Sequence, residues 1–400
     1  MSPEVLPLDD LRVLDLTHYY NGPYATLLLS YLGAEIIKIE SPQSGDGMRA
    51  LYRAPGKPFG APFALMNANK RSITLNLKSD GGKDIFRRLV PTADLVVENY
   101  APGTMESYGL GYAALRELNP RLVYACGTGY GLSGPNRDLA AFDPVVQAMS
   151  GIMALTGEAD GPPLKAGPAV VDILGAAHLC AGILAAIRQR DRTGKGLMVE
   201  LSLNESSIPT LTTHLGSLGM GITKFRDGNR SSGGVIVPYN GYPASDGWVM
   251  ILSADQARWT KLCQLMGRPE LAEDPRFANM AARARNRDEV DRLVGEWTRT
   301  KTRQELMDLL SANDVFCGIV KELPEVMADP HLHERGTLRD IDHPQLGPMT
   351  IFTSPLRLNG KANVPKSQSP VLGADSEAFY AKELGLSAAE IAQLRERKVI

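Results

Sequence analysis

A chain of 400 residues is too long for one minimal core, since domains usually run to about 100–200 residues, and two domains are expected. Hydrophobic residues at 44% and charged residues at 22% exclude a disordered or fibrous chain. The 43 Lys and Arg nearly cancel the 45 Asp and Glu, so a net charge of −2 offers no broad cationic field for nucleic acid or anionic lipid, and any anionic partner must be held by a local site.

Residues 11–17 (LRVLDLT) read as a buried strand, which Gly22-Pro23 breaks while supplying a helix-start proline for YATLLLSYLGA at 24–34. Strands are expected at 35–40, 73–77, 93–98 and 121–126, with helices at 82–90 and 112–119 among them, a βαβ rhythm. Strands apolar on both faces suit a mostly parallel sheet covered by helices, so the predicted class is α/β. The turn Gly127-Thr128-Gly129-Tyr130-Gly131 follows the last strand without the spacing of the dinucleotide fingerprint. Residues 169–171 read as an apolar strand running into Asp172. The apolar tract at 170–187 has nearly the length of a membrane span, but Asp172 and His178 lie inside it and would be costly in lipid, so a buried helix is expected. A strand follows at 198–203.

Gly, Ser and Thr dominate residues 212–234, the signature of a linker or mobile loop. Beyond Pro238 a second unit is predicted, with a hairpin over 239–252 and helices over 256–266 and 287–312, Thr302 and Glu305 forming a capping box. Asp329-Pro330 opens an irregular stretch before a helix at 387–397, where Ser387 and Glu390 are again three apart. No internal repeat is visible. Cys126, Cys180, Cys263 and Cys317 stand alone, so neither a disulfide framework nor a metal site is expected. The N-terminus, MSPEVLPLDDLRVLDLT, has early acidic residues and no basic start, unlike a secretory signal, and a cytoplasmic location is expected.

Among chemistry-bearing residues, Asp172 stands out because burial alone would exclude a carboxylate between an apolar strand and an apolar helix. One reading is an N-cap that accepts the free N–H groups of the next turn. The other is a nucleophile, since an aspartate ionised near neutral pH needs no general base to attack an acyl carbon. Asp143, followed by Pro144 in AAFDPVVQAMSG, reads first as a helix cap. Gly233-Gly234 could present backbone donors to an oxyanion or form an exposed turn. His18 and His178 have no Ser or Cys at a recognisable nucleophile motif. Lys38, Lys70-Arg71 and Lys78 cluster in the sheet region, where they would either meet phosphates or simply be solvated. Tyr19, Tyr20, Tyr130 and Tyr239 suit an aromatic, hydrogen-bonding pocket, or equally a core or interface.

Ordered blocks recur almost end to end: VLDLTHYYNGPYATLLLSYLGAEIIKIESPQSGD, NANKRSITLNLK, ADLVVENYAPGTMESYGLGY, LNPRLVYACGTGYGLSGP and FDPVVQAMSGIMALTGEADGPP, then DRTGKGLMVELSL, the DGW hairpin and PVLGADSEAFYAKELGLS. In these blocks the chain resembles the class III CoA-transferases, the family that includes formyl-CoA transferase, carnitine CoA-transferase and the α-methylacyl-CoA racemases. The resemblance implies a Rossmann-like large domain over residues 1–205, a linker and glycine loop over 206–235, a small α+β domain over 236–328, and a return to the large domain over 329–400. It also implies a homodimer of two interlocked ring-like chains.

By the same resemblance, Asp172 in GPAVVDILG corresponds to the family nucleophile, which passes through an aspartyl anhydride and an aspartyl-CoA thioester. Gly233-Gly234 resembles the loop that closes over the anhydride and keeps water out. Coenzyme A, as the acyl-CoA substrate, is expected along the sheet crevice at Tyr20, Leu75, Asn76, Leu77, Lys78, Asn99, Tyr100 and Asp143, with a carboxylic acid as co-substrate. No metal, nucleic acid or membrane partner is expected. Ser41 and Ser107 stand where formyl-CoA transferase has arginines and Ala140 replaces a lysine, so phosphate contacts are expected to fall to Arg49, Arg53 or Lys70. In the racemase branch a histidine precedes the residue matching Asp143. Here Phe142 stands there and cannot exchange a proton, which disfavours the racemase alternative despite Asp255 near its third acid. Asp172 likewise argues against a non-catalytic subunit of a heteromeric transferase.

Overall fold

Six short apolar runs become one sheet in the computed structural model, which describes residues 6–400. β1 (Arg12–Asp15), β2 (Glu35–Glu40), β3 (Lys70–Thr74), β4 (Leu95–Glu98), β5 (Val123–Thr128) and β6 (Met198–Ser202) are all parallel, in the order β3-β2-β1-β4-β5-β6. The strand order reverses between β1 and β4, so the segments leaving the carboxyl ends of those two strands diverge and open a crevice. The sequence-based reading of the N-terminus depends partly on residues 1–5, which lie outside the described residues, as does the very start of the expected large domain.

Period-2 alternation sends Leu14, Ile37, Ile73, Val96 and Tyr124 to one face, where they pack with Phe86 and Leu89 of α2 (Asp80–Leu89) and Leu115 of α3 (Tyr112–Leu118). α1 (Asn21–Tyr31) lies under β1, β2 and β4, and packs against a long helix that also covers β5 and β6. Two helices carry the site: α4 (Asp143–Met149) and that long helix, α5 (Val170–Thr193). α5 is apolar and long enough to cross a membrane, but Ala176, Leu179, Ile183 and Ile187 are buried in the fold. Its start corrects the sequence reading. Residues 169–171 form no strand: Ala169 is the N-cap, and Val170 and Val171 already turn in the helix. Two β-branched residues are tolerated there because helix propensity is a small term beside burial and capping.

The described chain divides into two units: residues up to Ser150 with Gly167–Ile208 and Asp329–Ile400, and Gly151–Ala166 with Pro209–Ala328. In the second, β7 (Tyr239–Ala244), β8 (Gly247–Leu252) and β9 (Phe316–Ile319) form an antiparallel sheet. It packs with α6 (Gln256–Leu265), α7 (Arg287–Thr298) and α8 (Arg303–Ala312) around Trp259, Phe277 and Leu306. The single helix expected over 287–312 is two, because the capping box at Thr302 and Glu305 starts a new helix. Part of the expected linker is also ordered, as the helix Thr212–Gly219. Back in the first unit, α9 (Ser376–Leu384) and α10 (Ala388–Glu396) close the chain against the β3 edge, Tyr380 donating to the Thr74 carbonyl at 2.7 Å.

Candidate active site

Both lips of the crevice between β1 and β4 are tied to carboxylates at strand ends. Asp15 accepts the Thr17 N–H at 2.9 Å and Glu98 accepts the Tyr100 N–H at 2.7 Å, burial pushing the Glu98 carboxyl up to about 7. The lips are also tied to each other: the His18 N–H donates to Asn99 Oδ1 and Asn99 Nδ2 donates to the His18 carbonyl, each at 2.8 Å.

Beneath them lies a buried ionic cluster. Lys70 Nζ meets Asp15 Oδ2 at 3.0 Å, and Lys38 Nζ meets Asp46 Oδ2 at 3.0 Å and the Thr17 carbonyl at 2.7 Å. Arg49 grips Glu40 through two bonds of 2.7 Å. Burial alone would raise the Asp46 carboxyl, but the Lys38 charge, followed by His18, holds it well below the usual carboxylate range. Asp46 in turn accepts the Tyr19 N–H at 3.1 Å, which helps keep Tyr19 at the left-handed φ of 62°. This cluster corrects the expectation that Lys38, Lys70 or Arg49 meets substrate phosphates: all three are buried and already neutralised.

Above the cluster two cavities open. The larger, about 660 Å³, is lined by residues 18–21, 99–102, 127–129 and 137–142 with Asp172 and Leu203. The smaller, about 350 Å³, is lined by Leu75, Asn76, Leu77 and Lys78 with Ser41 and Tyr108, among others. His18 and Tyr100 belong to both. Tyr20, Asn99, Tyr100 and Asp172 are thus brought to the larger cavity, and Leu75 to Lys78 to the smaller. Asn76 has a structural duty as well: its N–H donates to the Val399 carbonyl at 2.8 Å and its Oδ1 accepts the Lys78 N–H at 3.1 Å. Of the four tyrosines singled out in the sequence, Tyr19 and Tyr20 line the larger cavity, Tyr130 is buried and Tyr239 begins β7 in the other unit. Gly233 and Gly234, also in the second unit, hold φ of 72° and 65°, a conformation that favours glycine.

Asp172 occupies the third position of α5 and is not its N-cap. Asp143, from the first turn of α4, does that work: its Oδ2 accepts the N–H groups of Val171 at 2.8 Å and Asp172 at 3.1 Å, and its Oδ1 accepts Gln147 Nε2 at 2.5 Å. Asp143, expected at the CoA site, is buried and is not among the residues that line the cavity. The carboxylate of Asp172 has no hydrogen-bond donor among the described residues, and burial, then the Asp143 charge, raises it to about 7. Tyr20 is near enough to respond: its hydroxyl is raised by burial first, then by Tyr52 and by Asp172. A partly desolvated carboxylate without a hydrogen-bond donor, facing a cavity, is more basic and more nucleophilic than an ordinary aspartate.

Two residues escaped the sequence reading. Asn21 Nδ2 donates to the Asp172 carbonyl at 3.2 Å, while its Oδ1 is shut from solvent without a partner. Gly127 makes room for it, since a Cβ there would stand 2.4 Å from Asn21 Oδ1. The other is Arg137, a cation on the cavity wall. The HYYNGP turn is the only local signal for Asn21, and a loop without periodicity gives none for Arg137.

Replacing Asp143 with Ala strands two buried N–H groups and should destabilise the chain by about 2–4 kcal/mol, read as a lower denaturant midpoint. Because a like charge is also removed, the Asp172 carboxyl should titrate below about 7 by ¹³C NMR, though burial keeps it above an ordinary aspartate. Unchanged titration would show that Asp143 acts on Asp172 through capping alone.

Comparison with known proteins agrees with this geometry. The family model described as CoA-transferase family III matches residues 8–376. A succinyl-CoA–D-citramalate CoA-transferase of Chloroflexus aurantiacus is 37% identical over 98% of both chains. A formyl-CoA:oxalate CoA-transferase of Streptomyces coelicolor is 36% identical over 98% of this chain and 99% of its own. The crystal structure of a CAIB/BAIF family protein from Brucella suis superposes with a TM-score of 0.85 at 34% identity, covering 95% of this chain and all of that one. The doubly wound sheet, the crevice at its switch point and a match that spans nearly the whole chain lead to one conclusion: this chain is an enzyme that belongs to CoA-transferase family III.

Proposed function

We propose that this enzyme moves CoA from an acyl-CoA to a carboxylic acid with Asp172 as the covalent carrier. The observation that carries the reading is the Asp172 carboxylate itself, at the head of α5, without a hydrogen-bond donor, facing a cavity of about 660 Å³. One carboxylate oxygen attacks the thioester carbonyl carbon and the C–S bond breaks, leaving a mixed anhydride on Asp172 and a CoA thiolate. The thiolate then attacks the Asp172 carbonyl carbon, the donor acid leaves as a carboxylate, and an aspartyl-CoA thioester remains. The acceptor carboxylate repeats the sequence in reverse, so no net proton is exchanged. Asp143 and Asn21 hold the first turn of α5 in place throughout, through its N–H groups and the Asp172 carbonyl.

In this reading CoA lies along the crevice, its adenosine end against Leu75, Asn76, Leu77 and Lys78 and its acyl end past Tyr100 and Asn99 toward Tyr20 and Asp172. By the family resemblance, Gly233 and Gly234 belong to the loop that covers the anhydride and keeps water from it, their left-handed φ setting the turn while the Gly234 N–H is held by the Ser231 carbonyl at 2.8 Å. The acids named for the two relatives, citramalate and oxalate, are dicarboxylates, and we carry that class to this chain. The interlocked homodimer belongs to the same reading; Val145 and Met149, about half exposed on α4, are apolar surface for a second copy to cover. So does a cytosolic location, where the four unpaired cysteines persist as thiols.

The test is to capture the carrier. Incubation with an acyl-CoA alone, quenching with hydroxylamine or borohydride, and peptide mass spectrometry should place the derivative on Asp172. Active enzyme that never yields one there would overturn the reading.

A further inference from the structure

CoA carries a phosphate monoester and a pyrophosphate, and the crevice must meet them with cations or donors. The structure removes most of the cations that the sequence offers. Lys38, Lys70 and Arg49 are held beneath the cavities by Asp46, Asp15 and Glu40. Arg53 lines a separate cavity with residues 54–58, Gln345 and Val371, and that cavity has no wall in common with the one at Asp172. Two permanent cations remain, one in each cavity: Lys78 in the smaller and Arg137 in the larger.

Arg137 is about half exposed, and its partner among the described residues is its neighbour Asp138, whose Oδ1 accepts Nε at 3.2 Å. Neither terminal Nη group has a partner among the described residues. We propose that Arg137 is a phosphate-binding residue for CoA, gripping the pyrophosphate where the substrate passes from the Lys78 cavity into the Asp172 cavity. The inference rests on the CoA-transferase reading above. Two parallel N–H donors match two phosphate oxygens, a fit that a lysine cannot reproduce. Ala140, three residues further along the same wall, contributes no charge, so this wall has Arg137 alone.

The competing use of Arg137 is to hold the second carboxylate of a short acid seated at Asp172. The two uses differ in which KM they move, that of the nucleotide donor or that of the acid acceptor.

The test compares acyl-CoA, the matching acyl-3′-dephospho-CoA and the matching acyl-pantetheine as donors for the parent, Arg137→Ala and Arg137→Lys. With Arg137→Ala we expect KM to rise about tenfold for both nucleotide donors with kcat nearly kept, and no change for acyl-pantetheine; Arg137→Lys should recover part of the loss. An equal rise with acyl-pantetheine, a rise confined to the 3′-phosphorylated donor, a rise only in KM of a dicarboxylate acceptor, or no change would each overturn the assignment. Should the parent enzyme transfer no CoA at all, the reading of the activity fails, whereas transfer by the parent with any of those four results defeats Arg137 alone.

Discussion

Asp172→Asn should lose CoA transfer by at least about 10⁴-fold and yet be more stable than the parent at neutral pH. The loss follows because an amide oxygen is a far poorer nucleophile than a carboxylate and a neutral amide cannot complete the anhydride cycle. The gain follows from linkage. In the folded chain the Asp172 carboxyl sits at about 7 against 3.8 for the free group, raised by burial and then by Asp143. The folded state therefore binds the proton more tightly than the unfolded state, and stability falls as pH rises from about 4 to about 7 and stays lowered above that. Asn carries no such charge, so the variant should gain on the order of 2 kcal/mol at pH 7–8, the partly exposed carboxyl discounting the full shift, and nothing below about pH 4. Denaturant midpoints across that range, with transfer assays on the same samples, decide it. Loss of activity together with loss of stability at pH 8 would mean that Asp172 is a structural carboxylate. The same titration predicts that kcat/KM of the parent rises with pH through about 7 as the nucleophilic form appears.

Lys38→Ala should be the most damaging single change to the fold of the first unit, costing about 3–5 kcal/mol. Lys38 is fully buried; its removal leaves Asp46, also fully buried, without its cation and the Thr17 carbonyl without its donor. Asp46 is what holds the Tyr19 N–H, so the loop at residues 17–20 should loosen and acyl-CoA should bind more weakly in whatever fraction folds. Lys38→Met combined with Asp46→Leu should restore much of the stability, because an apolar pair leaves no charge stranded in the interior. It should leave the loop unpinned. If the double variant is no more stable than Lys38→Ala, the ionic pair is not what the single change disrupts.

How much of this was legible beforehand differs from residue to residue. Asp172 could be found by inspection, because a carboxylate inside an apolar tract violates the burial rule whatever the fold. Lys38 and Lys70 could not be placed, since on paper EIIKIE and KRSIT offer cations to a ligand. Only a strand buried on both faces turns them inward, to partners at Asp46 and Asp15 that lie 8 and 55 residues away in the chain. Asp143 was legible as a cap but not as the cap of another helix, 28 residues downstream. Asn21 had only the HYYNGP turn as a signal and Arg137 had none, because their significance is a matter of neighbours.

The sequence by itself determined the periodicities, and with them the alternation of strands and helices, the capping boxes at Thr302 and Ser387, the family and the one anomalous carboxylate. These are local properties, written in the spacing of apolar side chains and in the misfit of single residues. Which charges neutralise one another, which helix Asp143 caps and which cation faces the crevice were decided by the tertiary structure. Each depends on bringing groups far apart in the chain to within about 3 Å, the range over which a desolvated charge or a buried N–H is satisfied.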